Sequence, residues 1–363
     1  MKKKNIGDVR IKPKKKKKKR IILLSIITLL LLAFLACFYF FYLKQGDNLF
    51  NPSQEIERKK LTIVDEDSNK RPIAIMIDNN VGNNSHVGLQ DAYITYEAIV
   101  EGGLTRIMAV FKDKSTSLIG PVRSSRHYFL DYALENDALY AHYGWSTYAQ
   151  RDISSLGVDN INGLYVDSAY WRDYNYAAPH NVFTNIETLY QSAANLGYST
   201  TSSNWENLNF TTDPVDLNSY NTCEAEDATC ESDIITANNI TIPYSYYQER
   251  SYQYEATRGV YLRFMNGEPH SDRDTKQQYY YKNIIILKVN NYSLDQDGRQ
   301  DLDTTGTGNG YYITGGYARP ITWHKNSRSG KTTYTYTDGT EVKINDGNTF
   351  IQIEPEEETP TFE

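Results

Sequence analysis

Hydrophobic and polar positions over residues 71–198 fall into the patterns that a packed domain requires. Ile73–Ile77 and Ile107–Phe111 are short runs of β-branched or bulky residues bounded by polar residues or glycine, and they read as buried strands. The predicted elements are a strand at Pro72–Ile77, a loop over Asn79–Leu89, a helix or strand across Ala92–Val100, and a strand at Thr105–Phe111. Pro121 forbids a helix through its own position. From Ser124 the apolar residues Tyr128, Phe129, Tyr132 and Ala133 recur at helical spacing, which predicts an amphipathic helix opening near Val122. Ala138–Tyr143 alternates as a strand, and Ile186–Leu196 reads as a helix stopped by Gly197. Strands alternating with helices predict an N-terminal three-layer α/β-type domain over residues 71–198.

The pattern then changes twice. Residues 199–239 are dominated by Ser, Thr, Asn and Asp and read as a polar loop region. Residues 240–354 show strand alternation broken by Gly, Asn and Asp turns, with Asp338-Gly339 as a hairpin signal, and predict an antiparallel β-rich C-terminal domain. The run TGTGNG lacks the Lys-Ser/Thr pair and the helix of a phosphate loop, so it reads as a turn between strands. The acidic tail 355–363 is expected to be loose. The fold class is α+β.

Charge changes the picture at the N-terminus. Residues 1–20 hold twelve Lys and Arg against Asp8, so the rest of a chain of net charge −7 carries −18. Ile21–Leu43 follows with no charged residue, enough for one transmembrane helix across a hydrocarbon core of roughly 30 Å. The basic flank favours the cytoplasmic side and puts the bulk of the chain outside. The basic run alone would also suit nucleic acid, but the apolar segment after it points to a membrane instead. Residues 44–70 read as a linker. Phe34-Leu35-Ala36-Cys37 loosely matches a bacterial lipobox, which would make Cys37 a lipidated N-terminus and remove everything before it. Cys223 and Cys230, seven residues apart outside the membrane, are expected to close a local disulfide.

The candidate chemistry lies where charged residues border the first strands. Arg106, Arg123, Arg126 and Arg172 could grip a phosphate or carboxylate, with Arg123 and Arg126 on one face of the predicted helix start. The bland alternative is internal pairing of these arginines with Glu97, Glu101, Asp131 and Asp152. Asp78, Glu97 and Glu101 could instead offer oxygen ligands to Mg²⁺. His142 and His180 are acid–base candidates, and each could equally be a hydrogen-bonded structural residue. No GxSxG elbow and no HExxH motif is present.

The stretches RPIAIMIDN, YEAIVEGGLTRIMAVF, IGPVRSSRHYFLDYA, APHN and GYYITGGYARPITWHK, with the later TYTYTDGTEVKINDGNTFIQI, resemble the YerB-like family of bacterial envelope lipoproteins. That resemblance implies an envelope location and two domains of unknown function, and no particular reaction. The layout of basic tail, membrane helix and arginines around the strands is also similar to the LytR–CpsA–Psr phosphotransferases. By that likeness Asp78, Arg106, Arg123 and Arg126 would hold a lipid pyrophosphate and Mg²⁺, although the Arg-Ser-Asp-Thr motif of those enzymes is missing. Two readings follow. One is a membrane-anchored envelope protein that binds an anionic or glycan wall component, or an envelope protein partner, through an Arg-lined cleft and without a cofactor. The other is a Mg²⁺-dependent enzyme acting on phosphate-linked glycopolymers.

Overall fold

A computed structural model describes residues 15–40, 59–80, 82, 85–221 and 232–363, with side chains from residue 22 onward. Residues 1–59 and 60–363 form two separate units. In the first, helix α1 (Lys15–Phe38) opens on six consecutive basic residues and continues as an apolar helix whose Ile, Leu and Phe side chains are exposed. Among the described residues no helix is long and apolar enough to cross a membrane. The expected span 21–43 runs past residue 40, where description of this segment stops. Cys37 lies within α1 as a free, exposed cysteine.

The second unit is built on one large mixed sheet. Its N-terminal strands are β1 (Ile73–Asp78), β2 (Ile94–Ile99), β3 (Thr105–Phe111), β4 (Leu139–His142) and β5 (Asn160–Asn162). Helices α2 (Phe129–Glu135), α3 (Thr147–Leu156) and α4 (Ile186–Asn195) lie among and after them. The C-terminal half adds β6 (Asn239–Ser245), β7 (Gln248–Glu255), β8 (Val260–Met265), β9 (Asn283–Val289), β10 (Gly306–Thr314), β11 (Tyr317–Lys325), β12 (Thr333–Tyr336) and β13 (Thr349–Pro355). The main sheet runs β12-β11-β10-β9-β13-β2-β3-β1-β4-β5, with Ile235–Thr236 beside β11. Strand β13 lies parallel to both β9 and β2, so a C-terminal strand joins the two halves into one sheet. The segments predicted as successive domains therefore share a single hydrogen-bonded platform. Strands β6, β7 and β8 form the core of a smaller antiparallel sheet.

Residues 92–100 were ambiguous by pattern for a reason visible in the packing. All six residues of β2 are buried. Successive side chains point to opposite faces: Tyr96 meets Tyr132 and Glu135 of α2, while the neighbouring Glu97 meets Arg250 and Arg263 of the small sheet. With both faces covered, no alternation survives in the sequence.

Three expectations are corrected. The helix predicted from Val122 begins only at Phe129, so Arg123 and Arg126 precede it. The backbone from Pro121 to Ser125 is drawn out instead: Asp78 N–H donates to the Pro121 carbonyl at 2.8 Å, Arg123 N–H to Met76 at 2.9 Å, and Ser125 N–H to Gly144 at 2.9 Å. The acidic tail is not loose, because Thr361–Phe362 pairs with β6 and Phe362 packs on Tyr311 at 4.9 Å. The Gly-rich run is the start of β10 and not a turn; Gly308 stands opposite Trp323 with no room for a side chain. The expected Cys223–Cys230 disulfide lies outside the described residues.

Candidate functional site

Strands β1, β4 and β5 are parallel neighbours, so their carboxyl ends open on the same edge of the sheet. In sheets of this kind that edge is where ligands bind. Asp78 ends β1, His142 ends β4, and Tyr143 follows directly. Two further segments reach this edge. One is the extended stretch holding Arg123 and Arg126. The other is a hairpin in which Trp171–Arg172 pairs antiparallel with Val182–Phe183, placing Arg172 in one arm and His180 just before the other.

Asp78 is the hub. Its carboxylate is fully buried, and its Oδ2 accepts from His180 Nδ1 at 2.6 Å and lies 3.2 Å from Arg123 Nε. Its Oδ1 accepts from the Asn80 N–H at 3.0 Å. Burial pushes the Asp78 carboxyl up, but Arg106, the Asn80 amide, Arg123 and His180 together hold it below the usual carboxylate range. Asp78 is therefore an anion, and His180 donates to it through Nδ1. In the neutral ring, Nε2 then carries the lone pair. His180 is 29% exposed and Arg123 25%, so both reach solvent from this buried anchor.

Arg106 is close enough to feel the charges of Arg126 and Arg123, which Asp78 and Glu101 oppose. Arg126 is locked by Glu101 in a fork of two 2.6 Å bonds. Arg106 is buried, donates to the Ser124 carbonyl at 2.8 Å, and leaves its Nε without a hydrogen-bond partner. Burial and the neighbouring Arg126 pull the Arg106 guanidinium down to about 10, with Asp78 resisting. Among the groups named, three cations face two anions.

Arg172 is different from these. It donates to the neutral Asn181 Oδ1 at 2.7 Å and stacks over the Tyr143 ring at 4.9 Å. Among the described residues no carboxylate pairs with it. It helps line a hollow of about 360 Å³ with Tyr143, Asp167, Tyr170, Trp171 and Tyr174. Trp171 is 39% exposed and Tyr174 86%. A larger hollow of about 710 Å³, along α4, gathers only Lys70, Lys114 and Glu187 as charged lining. It lacks the convergent groups seen at the strand ends.

The remaining candidates take structural positions. Glu97 is fully buried between Arg250 Nε at 2.6 Å and Arg263 Nη2 at 2.7 Å, and also accepts from Asn79 and Thr105 at 2.7 Å each. Asp78, Glu97 and Glu101 are thus each paired with guanidinium groups. Among the described residues no cluster of three or more metal-ligating side chains is present. His142 is fully buried with Nδ1 on the Gly144 carbonyl at 2.7 Å. Burial pulls its ring down to about 4, so it stays neutral and away from solvent.

Sequence reasoning missed Arg250, Arg263, His86 and His270. Arg263 donates to His270 Nδ1, so His270 must carry its proton on Nε2. That nitrogen donates to His86 Nδ1 at 2.8 Å, and His86 Nε2 donates to the Asp78 carbonyl at 2.5 Å. The chain of bonds fixes both tautomers and ties the small sheet to the end of β1. A signal for the arginines did exist: Arg250 shares the inward phase of β7 with Tyr252, and Arg263 that of β8 with Tyr261.

The comparisons agree with this architecture. Residues 61–199 match the N-terminal domain of the "Protein of unknown function (DUF3048)" family, and residues 240–351 match its C-terminal domain. The chain is 30% identical over 292 residues to the "Putative lipoprotein YerB" of Bacillus subtilis (strain 168), covering 79% of this chain and 82% of that protein. The crystal structure of the YerB protein from Bacillus subtilis superposes with a TM-score of 0.69 at 27% identity, covering 84% of this chain and 97% of that one.

Proposed function

This chain belongs to the DUF3048 family, and on that premise we propose that it is a membrane-anchored envelope protein whose strand-end face binds an anionic glycan of the cell wall. The observation that carries the reading is Arg172, a guanidinium with no carboxylate partner among the described residues, lining a hollow beside exposed Trp171 and Tyr174. Arg172 and the outer nitrogens of Arg123 meet the anion, and the aromatic rings offer apolar faces to sugar rings. Arg126 serves differently from the sequence-based expectation: paired with Glu101, it shapes the face and does not contact the ligand.

Basic residues 1–20 and the apolar run 21–43 support anchorage with the N-terminus in the cytoplasm and residues 60–363 outside. The relative's description as a lipoprotein supports the same outer-face location, with lipid on Cys37 as the other means of attachment. Mass spectrometry of the mature N-terminus separates the two, because an acylated Cys37 start would eliminate the spanning helix.

The binding test is cosedimentation with purified wall polymer. Arg172→Ala and Arg123→Ala are each expected to weaken binding roughly 10- to 100-fold, the value of one charge-assisted hydrogen bond. Arg126→Ala is expected to matter less. Unchanged binding in both Arg123→Ala and Arg172→Ala rejects the site.

A further inference from the structure

The strand-end face holds more than binding requires. His180 receives its orientation from a buried carboxylate: Asp78 Oδ2 accepts a hydrogen bond from its Nδ1–H at 2.6 Å and is itself braced by the Asn80 amide and by Arg123. The opposite ring nitrogen belongs to a partly exposed side chain. Neither Asn181 nor any carboxylate other than Asp78 claims His180 among the described residues. A histidine that served only to pin the hairpin would need one bond to the strand end. It would not need an ionised, thrice-supported partner flanked by arginines. A base oriented by a carboxylate, on the same strand-end face as the part-exposed Arg123 and an Arg172 that no carboxylate pairs with among the described residues, is a constellation suited to proton transfer at a phosphate ester.

We propose that His180, oriented by Asp78, is the general base of a metal-independent phosphodiester hydrolysis at this face, with Arg123 and Arg172 holding the non-bridging phosphate oxygens. This proposal rests on the anion-binding reading above. In the step, the lone pair of His180 Nε2 accepts a proton from a water molecule as the water oxygen bonds to phosphorus. The bond from phosphorus to the leaving sugar or polyol oxygen breaks, and its electron pair stays on that oxygen. The His180 imidazolium then returns the proton to it. The net reaction consumes one water and yields a phosphomonoester and an alcohol. Asp78 remains ionised throughout and is a positioning residue, because it touches the base and not the substrate. The guanidinium groups offset the charge that gathers on the phosphoryl oxygens.

The test uses the full-length protein with a glycerol-phosphate oligomer, in buffer containing EDTA. Binding is followed by calorimetry and cleavage by release of phosphomonoester. The wild type is expected to bind and to cleave. His180→Gln, which changes a partly exposed side chain, is expected to bind within about threefold of wild type and to lose at least 100-fold in rate. His180→Ala is expected to regain part of the rate with added imidazole, which a purely structural histidine would not show. Oligomer that is bound by the wild type but never cleaved overturns the base and leaves the binding reading standing. Cleavage that persists in His180→Gln also overturns the base. Absence of binding by the wild type removes the anion site and this proposal with it.

Discussion

Removing the charge of Glu97 should unfold much of the small sheet from the large one. The carboxylate is fully buried and lies between two fully buried guanidinium groups, Arg250 and Arg263. Glu97→Gln keeps the shape but leaves both cations in the core without a counter-charge. Breaking a buried ion pair in this way costs about 3–5 kcal/mol. The pKa leads to a similar figure. Burial pushes the Glu97 carboxyl up, yet Arg250 and Arg263 outweigh it and bring the group from 4.5 down to about 2. A depression of that size corresponds to roughly 3 kcal/mol of stability. The sign follows from which state binds the proton. The unfolded chain protonates Glu97 first, so this stability is complete above about pH 4.5 and is lost as pH falls towards 2. The assay is urea unfolding of wild type and Glu97→Gln at pH 7 and at pH 3. A gap of several kcal/mol at pH 7 should narrow at pH 3. The triple replacement Glu97→Leu, Arg250→Met, Arg263→Met should cost less than the single change, because it strands no charge. If Glu97→Gln costs under 1 kcal/mol at pH 7, or if the triple variant is the less stable, the buried triad does not hold the sheets together.

Other outcomes follow from the same structure. Glu354 is fully buried with Lys288 Nζ 3.2 Å from its Oε2, and burial, opposed by Lys288, raises the group to about 7. Its raised pKa means that stability falls as pH rises from about 4.5 to 7. Glu354→Gln should therefore be more stable than wild type at pH 8, by up to about 3 kcal/mol, and equal to it at pH 4; equal stability at pH 8 contradicts this. His86 and His142 titrate in the opposite sense, each drawn by burial to about 4. Their contribution is present above pH 6.5 and is lost as pH falls towards 4, so His142→Phe should flatten the acid side of the stability profile measured by urea midpoints. A side chain at Gly310 would place its Cβ 2.0 Å from the Ile286 carbonyl, in the register that joins β9 to β10. Gly310→Ala should cost about 3 kcal/mol or more, and a thermal midpoint within two or three degrees of wild type would disprove that close approach.

Local pattern determined a good deal of this protein by itself. The strands bounded by Ile73, Thr105 and Leu139 and the helix from Ile186 were legible because apolar runs, breakers and periodicity act over a few residues. The arginines and acids bordering them were visible as types. What they do was not, since pairing depends on which strands become neighbours. β13 begins 271 residues after the end of β1, yet it is the strand that joins both halves of the main sheet. The faces of β2 are covered by α2 and by the small sheet, which makes Glu97 the counter-ion of the buried Arg250 and Arg263, and a bond from His270 reaches His86. The failed helix at Val122 has the same origin. Its helical periodicity was real, but hydrogen bonds to β1 and Gly144 outcompeted an isolated first turn, whose nucleation is costly. Sequence set the local elements and their charges. Long-range pairing decided which charges neutralise one another and which, like Arg172, still face solvent, because electrostatic energy depends on distances that only the folded chain fixes.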